Sequence, residues 1–401
     1  MHVFIITQYF PPEIGASASR WGDYSDILIN KNHKVTILCE APHYPNDSYF
    51  SGYKNSWIKV EKKSPNLTII RSKAYASDRK TTLKKLTHYF VFMFSAIINS
   101  RKVKNYDLLI VSSPPLFTGV IGLFGKFFFK VDYWLDIRDL WPDSALELKQ
   151  IQKGLLYKFG KKLESQIYNL AKGFIFPVPG FRNYLKNFSD RISEKPMIEL
   201  LNGVSEDFIK RSQSIHISSD RKFTVLYSGN MGLAQDLKTI VQAADLLKEY
   251  DIHFRFIGNG VCKLEVESLA KPLGNKIHFH NSMMRKELIK WIKKSSVCLV
   301  PLKNMKLFDR ALPSKMFEYM ACERPIIAGV RGEAVQMLNT SESGLAIQPE
   351  NATKLSEAIL TYYNDRERCK IDGQKGLTYI TKNLSKEVLI SNMLDNITDK
   401  Y

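Results

Sequence analysis

A chain of 401 residues with 44% hydrophobic and 24% charged residues has room for roughly two globular domains, each with its own core. Its five cysteines (Cys39, Cys262, Cys298, Cys322 and Cys369) make no CxxC pair or Cys/His cluster, so neither a disulfide framework nor a zinc site is indicated and a reducing cytoplasm fits best. The net charge of +18 is concentrated, since residues 51–104 alone hold 13 basic and 2 acidic residues, a patch suited to a polyanionic surface.

In chain order, Val3–Thr7 reads as a first strand rather than a signal peptide. A loop, Tyr9–Ser17, leads to a helix from Ser19 to about Lys31 and a second strand at Lys34–Leu38. Short apolar strands follow at Leu67–Arg71, Leu108–Val111, Tyr133–Ile137, Gly173–Phe176 and Met197–Leu201, with helices over Thr82–Ser100, Thr118–Phe129 and Leu155–Ala171. The second half repeats the plan. Strands are expected at Thr224–Tyr227, His253–Ile257, Ile277–His280, Val297–Leu302, Pro325–Ala328 and Leu345–Ile347. Helices separate them, and residues from about 372 onward are helical only. No run of about 18 apolar residues occurs, so no membrane span is expected.

Apolar strands alternating with helices imply parallel sheets covered on both faces. The fold class is therefore α/β, with two doubly wound domains and a C-terminal helical tail. The boundaries read 1–203, 204–371 and 372–401, with a hinge near Leu201-Asn-Gly-Val204 and the polar run Ser212–Arg221. Ligands of such sheets bind at the carboxyl ends of the strands, and a cleft between the domains is the expected site.

Arg310-Ala-Leu-Pro-Ser-Lys-Met-Phe-Glu318 reads as a loop entering a helix. Pro313 suits the doorstep, Ser314 the N-cap, and Lys315 then lies in the first turn with Glu318 one turn beyond Ser314. A helix start with a lysine beside it attracts phosphate, and a carboxylate one turn deeper accepts from a diol, which together outline a nucleotide. The alternative is a well-capped helix with solvated charges. Gly15 lets the backbone approach a ligand, and Arg20 faces the cleft if it lies in the first helical turn. Asp136-Ile-Arg-Asp-Leu-Trp-Pro142 places Arg138 and Asp139 at the end of a buried strand, which favours function over packing. Gly229 and Gly232 permit close approach of a phosphate or sugar, and Gly258-Asn259-Gly260 either borders a base or is a tight turn. Glu333 reads equally as a donor contact and as a dipole-favouring surface carboxylate. The aromatic helix Leu86–Ile98, with Lys84, Lys85, Arg101, Lys102 and Lys104 at its ends, fits either a core or a membrane interface, as does Gly125-Lys-Phe-Phe-Phe-Lys130. No nucleic-acid module stands out.

With these residues in place, the chain resembles glycosyltransferase family 4, whose GT-B fold has two facing Rossmann-like domains. The likeness runs through Phe10-Pro-Pro-Glu13, Asn32-His-Lys-Val-Thr-Ile37, Asn202-Gly-Val204, Gly258-Asn-Gly260 and Glu318-Tyr-Met-Ala-Cys-Glu-Arg-Pro-Ile-Ile-Ala328. Ser112-Ser-Pro-Pro115, Asp136–Pro142, Ser228-Gly-Asn-Met-Gly232 and Leu312-Pro-Ser-Lys315 resemble the fucosamine-transferase subgroup, which builds O-antigen and capsule repeats. The resemblance implies transfer of an N-acetyl-fucosamine-type sugar from a UDP donor to an undecaprenyl-diphosphate-linked sugar, on the inner face of the cell membrane.

Residue by residue, Glu318 matches the second glutamate of the family's E-x7-E motif, which holds the ribose, while Arg310 replaces the first. Asn230 and Gln235 occupy the family's usual Arg and Lys positions, so the resemblance leaves Lys315, then Arg310, to supply charge to the diphosphate. Arg138 falls where many relatives have a histidine, and Asp139 follows as an acceptor-orienting group or base. The donor set is thus Gly15, Gly229, Asn230, Gly258, Asn259, Arg310, Pro313, Ser314, Lys315, Glu318 and Glu333, and the acceptor set Arg20, Ser113 and Arg138. No Asp-x-Asp pair is present, so metal-independent chemistry with retention of configuration and no cofactor is expected. The lipid acceptor favours a membrane contact through residues 51–104. Rival readings are a UDP-N-acetyl-sugar 2-epimerase of similar fold and a non-catalytic polyanion- or membrane-binding scaffold.

Overall fold

Uninterrupted apolar segments become the inner strands of two parallel sheets, because only a strand covered on both faces can bury every side chain it carries. A computed structural model describes residues 1–13, 15–44, 48–77, 81–147, 151–216 and 222–400. Parts of the basic segment 51–104 and of the run Ser212–Arg221 lie outside these described residues. The chain divides into two compact units, Met1–Leu201 with Ile390–Tyr401, and Asn202–Leu389.

The first unit holds eight strands: β1 (His2–Ile6), β2 (Lys34–Glu40), β3 (Ile58–Ser64), β4 (Leu67–Ser72), β5 (Leu108–Ser113), β6 (Trp134–Ile137), β7 (Gly173–Phe176) and β8 (Met197–Glu199). Their order is β3-β4-β2-β1-β5-β6-β7-β8. All neighbours are parallel except β3, which lies antiparallel on β4. The helices α1 (Ala16–Asn30), α2 (Thr82–Ser100) and α3 (Leu116–Phe129) follow β1, β4 and β5. Val3, Phe4, Ile5 and Ile6 on β1, like Val35, Ile37 and Leu38 on β2, are fully buried between the helical layers.

Strand β3 is not among the strands expected from the apolar pattern. Its side chains are half-covered or exposed, and its register shifts between Lys62 and Ser64. Lys59, Lys62 and Lys63 line this outermost strand, where lysines and a bulge discourage pairing with another chain. Part of the basic excess in 51–104 therefore has a local explanation in edge protection.

The second unit holds β9 (Phe223–Ser228), β10 (Ile252–Ile257), β11 (Ile277–His280), β12 (Val297–Pro301), β13 (Ile326–Gly329) and β14 (Gly344–Ile347), all parallel, in the order β11-β10-β9-β12-β13-β14. The order reverses between β9 and β12, as it does between β1 and β5 in the first unit. At such a switch point the connections leave to opposite faces and open a crevice at the strand ends. The C-terminal segment does not act as one piece. The helix Arg366–Asn383 belongs to the second unit, whereas residues 390–400 of the last helix belong to the first. Among the described residues, no helix is long and apolar enough to cross a membrane.

One buried charge pair sits inside the first unit. Asp136 on β6 accepts from Arg20 Nη2 at 2.8 Å, Trp21 Nε1 at 2.9 Å and Ser112 Oγ at 2.6 Å, joining α1, β5 and β6. Removing one member of such a pair strands the other without water. Arg20→Met is expected to cost about 3–5 kcal/mol, read as a lowered urea midpoint, and an unchanged midpoint would show that the pair does not hold the unit.

Candidate functional site

In the second unit the crevice between β9 and β12 is built by a short helix and two glycine turns. The helix Lys315–Ala321 follows β12, and its Tyr319 is fully buried. Tyr319 Oη lies 3.0 Å from both the backbone N and the Oγ of Ser228, the last residue of β9. That contact fixes the helix against the strand end. Lys315 stands one turn earlier on the same helical face, so its side chain is carried to the same edge. Its Nζ lies 4.1 Å from the Tyr227 ring centroid, in cation–π contact.

Gly229 makes room for this ammonium. A Cβ at Gly229 would sit 3.0 Å from Lys315 Nζ, and its φ of +128° disfavours any other residue. Gly258 packs as closely, since a Cβ there would lie 1.9 Å from the Gly229 carbonyl oxygen. Their amides are engaged within the sheet: Gly229 N donates to Ile257 O at 2.9 Å and Gly258 N to His280 O at 3.0 Å. The glycines thus serve close packing of two strand ends and space for Lys315.

Burial pushes the Lys315 ammonium down to about 7, against the opposing pull of Glu318. A lysine in that state gains its full charge when an anion arrives. Ser314 precedes the helix but its side chain makes no cap hydrogen bond, and the helix has only seven residues. The expected capped helix start is therefore absent, and the positive charge at this edge comes from the lysine side chain. Glu318 is already engaged, with Arg285 Nη2 at 2.9 Å from its Oε1. Arg285 packs over the Phe208 ring at 4.8 Å. No local pattern marks Arg285, because its partner lies on another helix.

The remaining expected donor residues are spread around this edge. Arg310 is exposed at the end of a short 3-10 helix, Lys306–Arg310, and Pro313 is half-buried just beyond it. Asn230 is exposed, and Asn259 accepts Lys263 Nζ at 3.1 Å on its Oδ1 and Met231 N at 2.9 Å on its carbonyl. Glu333 opens the helix Glu333–Ser341, half-buried.

In the first unit, Arg20 is not available to an acceptor. Its side chain is 1% exposed and turned inward to Asp136, a partner 116 residues away that no local pattern reveals. Ser113 is also buried, with its carbonyl accepting from Arg138 N at 2.8 Å. Gly15 is exposed at the start of α1. Arg138 donates from Nη2 to the Pro114 carbonyl, while its buried Nε has no hydrogen-bond partner. Burial lowers the Arg138 pKa and raises that of Asp139; the Ser144 hydroxyl, the Leu140 amide and Arg138 oppose the rise in Asp139. Glu13 ties two loops together, accepting from the amides of Phe10, His43 and Tyr44 at 3.2, 3.1 and 3.0 Å.

A separate feature of this unit is an exposed apolar stripe. Phe90, Phe94 and Ile98 recur every four residues along α2, and Phe127, Phe128 and Phe129 close α3. The two helices meet where the Phe90 and Phe117 rings pack at a tilt, with centroids 4.8 Å apart. Arg101 lies over Phe124 and Phe129 at 5.3 and 5.8 Å, beside a cavity of about 390 Å³ that Lys104 and Tyr106 also line.

Residues 208–377 match the family model of glycosyl transferases group 1. That stretch of the second unit carries the group 1 glycosyl transferase domain. The chain is 22% identical over 379 residues to the putative colanic acid biosynthesis glycosyl transferase WcaI of Escherichia coli, covering 90% of this chain and 91% of that one. Its fold is similar to that of sucrose-phosphate synthase from Thermosynechococcus elongatus, with a TM-score of 0.75, 16% identity and 99% and 98% of the two chains covered. Anabaena HepE in complex with UDP-glucose has a TM-score of 0.66 at 11% identity, over 100% of each chain. The chain therefore has the GT-B scaffold, built from two Rossmann-like units.

The geometry around Lys315 makes a direct prediction. The ε-carbon NMR signal of Lys315, assigned by its loss in Lys315→Met, should titrate with a midpoint near 7 in the free enzyme. A midpoint above about 10, the ordinary lysine range, would show that the ammonium is solvated and the crevice open.

Proposed function

We propose that this glycosyltransferase moves an N-acetyl-fucosamine-type sugar from a UDP donor to an undecaprenyl-diphosphate-linked sugar in assembly of a capsule or O-antigen repeat unit. The observation that carries the donor half is Lys315, a half-buried ammonium at the switch point of the second sheet, beside a glycine that leaves it space. A departing nucleoside diphosphate gains negative charge as the glycosidic bond breaks, and a preorganised cation in a water-poor crevice stabilises that charge more than water does. Lys315 takes up its proton as the diphosphate binds, and Arg310 offers a second, exposed charge. Glu318 accepts from the ribose diol, with Arg285 orienting its carboxylate. HepE, which shares the scaffold, is seen with UDP-glucose, and WcaI carries a colanic-acid biosynthesis name; both support a nucleotide-sugar donor and a polysaccharide product.

The acceptor half rests on the first unit. Transfer proceeds with retention of configuration and without a metal ion at the donor. The choice of an N-acetyl-deoxyhexose follows the resemblance at Ser112–Pro115, Asp136–Pro142 and Ser228–Gly232.

The deciding assay supplies purified enzyme with UDP-N-acetyl sugars and undecaprenyl-diphosphate-monosaccharide, without added metal, and follows UDP release and lipid mass. A lipid heavier by one N-acetyl-deoxyhexose is expected, and Lys315→Ala should lower turnover by about 10²-fold or more with circular dichroism unchanged. Sugar-nucleotide interconversion without lipid product would replace this reading with an epimerase.

The lipid acceptor places the enzyme at the membrane surface, on the inner face of the cell membrane. The apolar stripe on α2 and α3, rimmed by Arg101, Lys102, Lys104, Lys126 and Lys130, fits an anionic bilayer interface. Sedimentation with anionic liposomes at low salt should fall in the double variant Phe94→Ser, Phe128→Ser, whereas transfer to a water-soluble short-chain acceptor should not. Equal sedimentation of variant and parent would remove this surface from the proposal.

A further inference from the structure

At the carboxyl ends of β1 and β2 lies a polar cluster that the transfer chemistry does not use. Gln8 follows β1, Glu40 ends β2, His43 lies in the next loop and His88 projects from the first half of α2. All four side chains have zero exposure. Glu40 Oε2 lies 3.5 Å from His88 Nε2, and Glu40 Oε1 lies 3.6 Å from His43 Nδ1. One ligand atom from each of these three residues lies within 4.8 Å of the other two. Donor atoms around a tetrahedral zinc ion, at bond lengths of about 2.0–2.2 Å, stand about 3.4 Å apart. The Glu40 Oε2–His88 Nε2 spacing of 3.5 Å is already close to that.

The imidazoles are held as metal ligands usually are. His88 Nδ1 faces the Tyr75 carbonyl at 2.9 Å, and His43 Nδ1 faces the Ala41 carbonyl at 3.0 Å. A ring N–H given to a backbone carbonyl selects the tautomer whose Nε2 keeps its lone pair. Gln8 supplies an independent sign. Its Nε2 lies 3.0 Å from Glu40 Oε2 and 2.6 Å from His88 Nε2, while its buried Oε1 has no hydrogen-bond partner. Nitrogen and oxygen of an amide exchange places by a half-turn. Turned over, Gln8 presents Oε1 beside the carboxylate and the imidazole, as a fourth oxygen or nitrogen donor to the cluster. Arg71, a buried cation of this region, is directed elsewhere, to the Phe10 and Pro11 carbonyls and, at 3.7 Å, to Glu61.

We propose that Glu40, His43, His88 and Gln8 form a structural site for one divalent ion of the zinc class, tying the ends of β1 and β2 to α2. Two imidazoles, a carboxylate and an amide oxygen favour zinc over magnesium, which prefers six oxygen donors and retains water. Its ligands lie in the first unit and the donor residues around Lys315 in the second, and none of the four is among the residues assigned to donor or acceptor.

The test uses the full chain, stripped with a chelator, exchanged into metal-free buffer and titrated with Zn²⁺, Co²⁺ and Mg²⁺. One Zn²⁺ per chain is expected, with a rise in Tm, four-coordinate visible bands from Co²⁺ and no uptake of Mg²⁺. Glu40→Gln and His88→Gln should each weaken Zn²⁺ binding by about 100-fold or more, whereas His253→Gln, at a histidine of the second unit, should leave it unchanged. If a ligand variant fails to fold, the Co²⁺ spectrum of the parent chain decides, because weak six-coordinate bands exclude this donor set. Sub-stoichiometric uptake by the parent, or binding that survives both ligand substitutions, overturns the proposal.

Discussion

The placement of a single ammonium group sets the terms for the second unit. Lys315 is carried to the strand ends by a helix that Tyr319 pins to Ser228, and it rests on the Tyr227 ring where water has limited access. Desolvation there weakens its hold on a proton, so the group is costly to charge until an anion shares the crevice. Other features of this edge follow from accommodating it. Gly229 cannot carry a side chain without meeting the ammonium, and Gly258 cannot without meeting Gly229. A rigid cradle whose charge completes itself only with ligand present is suited to a leaving group that becomes more negative as it departs.

The first unit treats buried charge in the opposite way. Asp136 is compensated before any ligand arrives, by Arg20 and by the Trp21 and Ser112 donors, and Glu13 by three backbone amides. These networks join α1 to β5 and β6, and the loop after β1 to the loop after β2, so the strand ends are held in place by polar bonds as well as by apolar packing. Such satisfaction is what makes a polar interior tolerable. Arg138 Nε and Gln8 Oε1 are among the buried atoms of this unit that these networks leave unmatched.

Most of the architecture was legible in the amino-acid order because parallel strands covered on both faces leave an unmistakable apolar run. Every inner strand of both sheets lies within a residue or two of its expected position. Strand β3 escaped because an edge strand rich in lysine lacks that run. At the site, Lys315 and Glu318 could be read from their place beside Pro313 and Ser314, which is local information. Their surroundings could not. Arg285 reaches Glu318 from a different helix, and Asp136 claims Arg20 across 116 residues, so the arginine expected to face the cleft is an internal strut. The cap expected of Ser314 failed for a related reason: tertiary packing through Tyr319, rather than a side-chain cap, holds the helix start.

The division of the chain has a consequence for how the protein comes into being. Residues 390–401 belong to the first unit, and Ile390, Met393, Leu394 and Ile397 are buried, yet the whole second unit precedes them in the chain. During synthesis the first unit has to wait, with an incomplete apolar surface, until the second has been made. Assembly of the two is thereby ordered in time: the unit begun first is finished last, and in the interval its open surface is a target for chaperones.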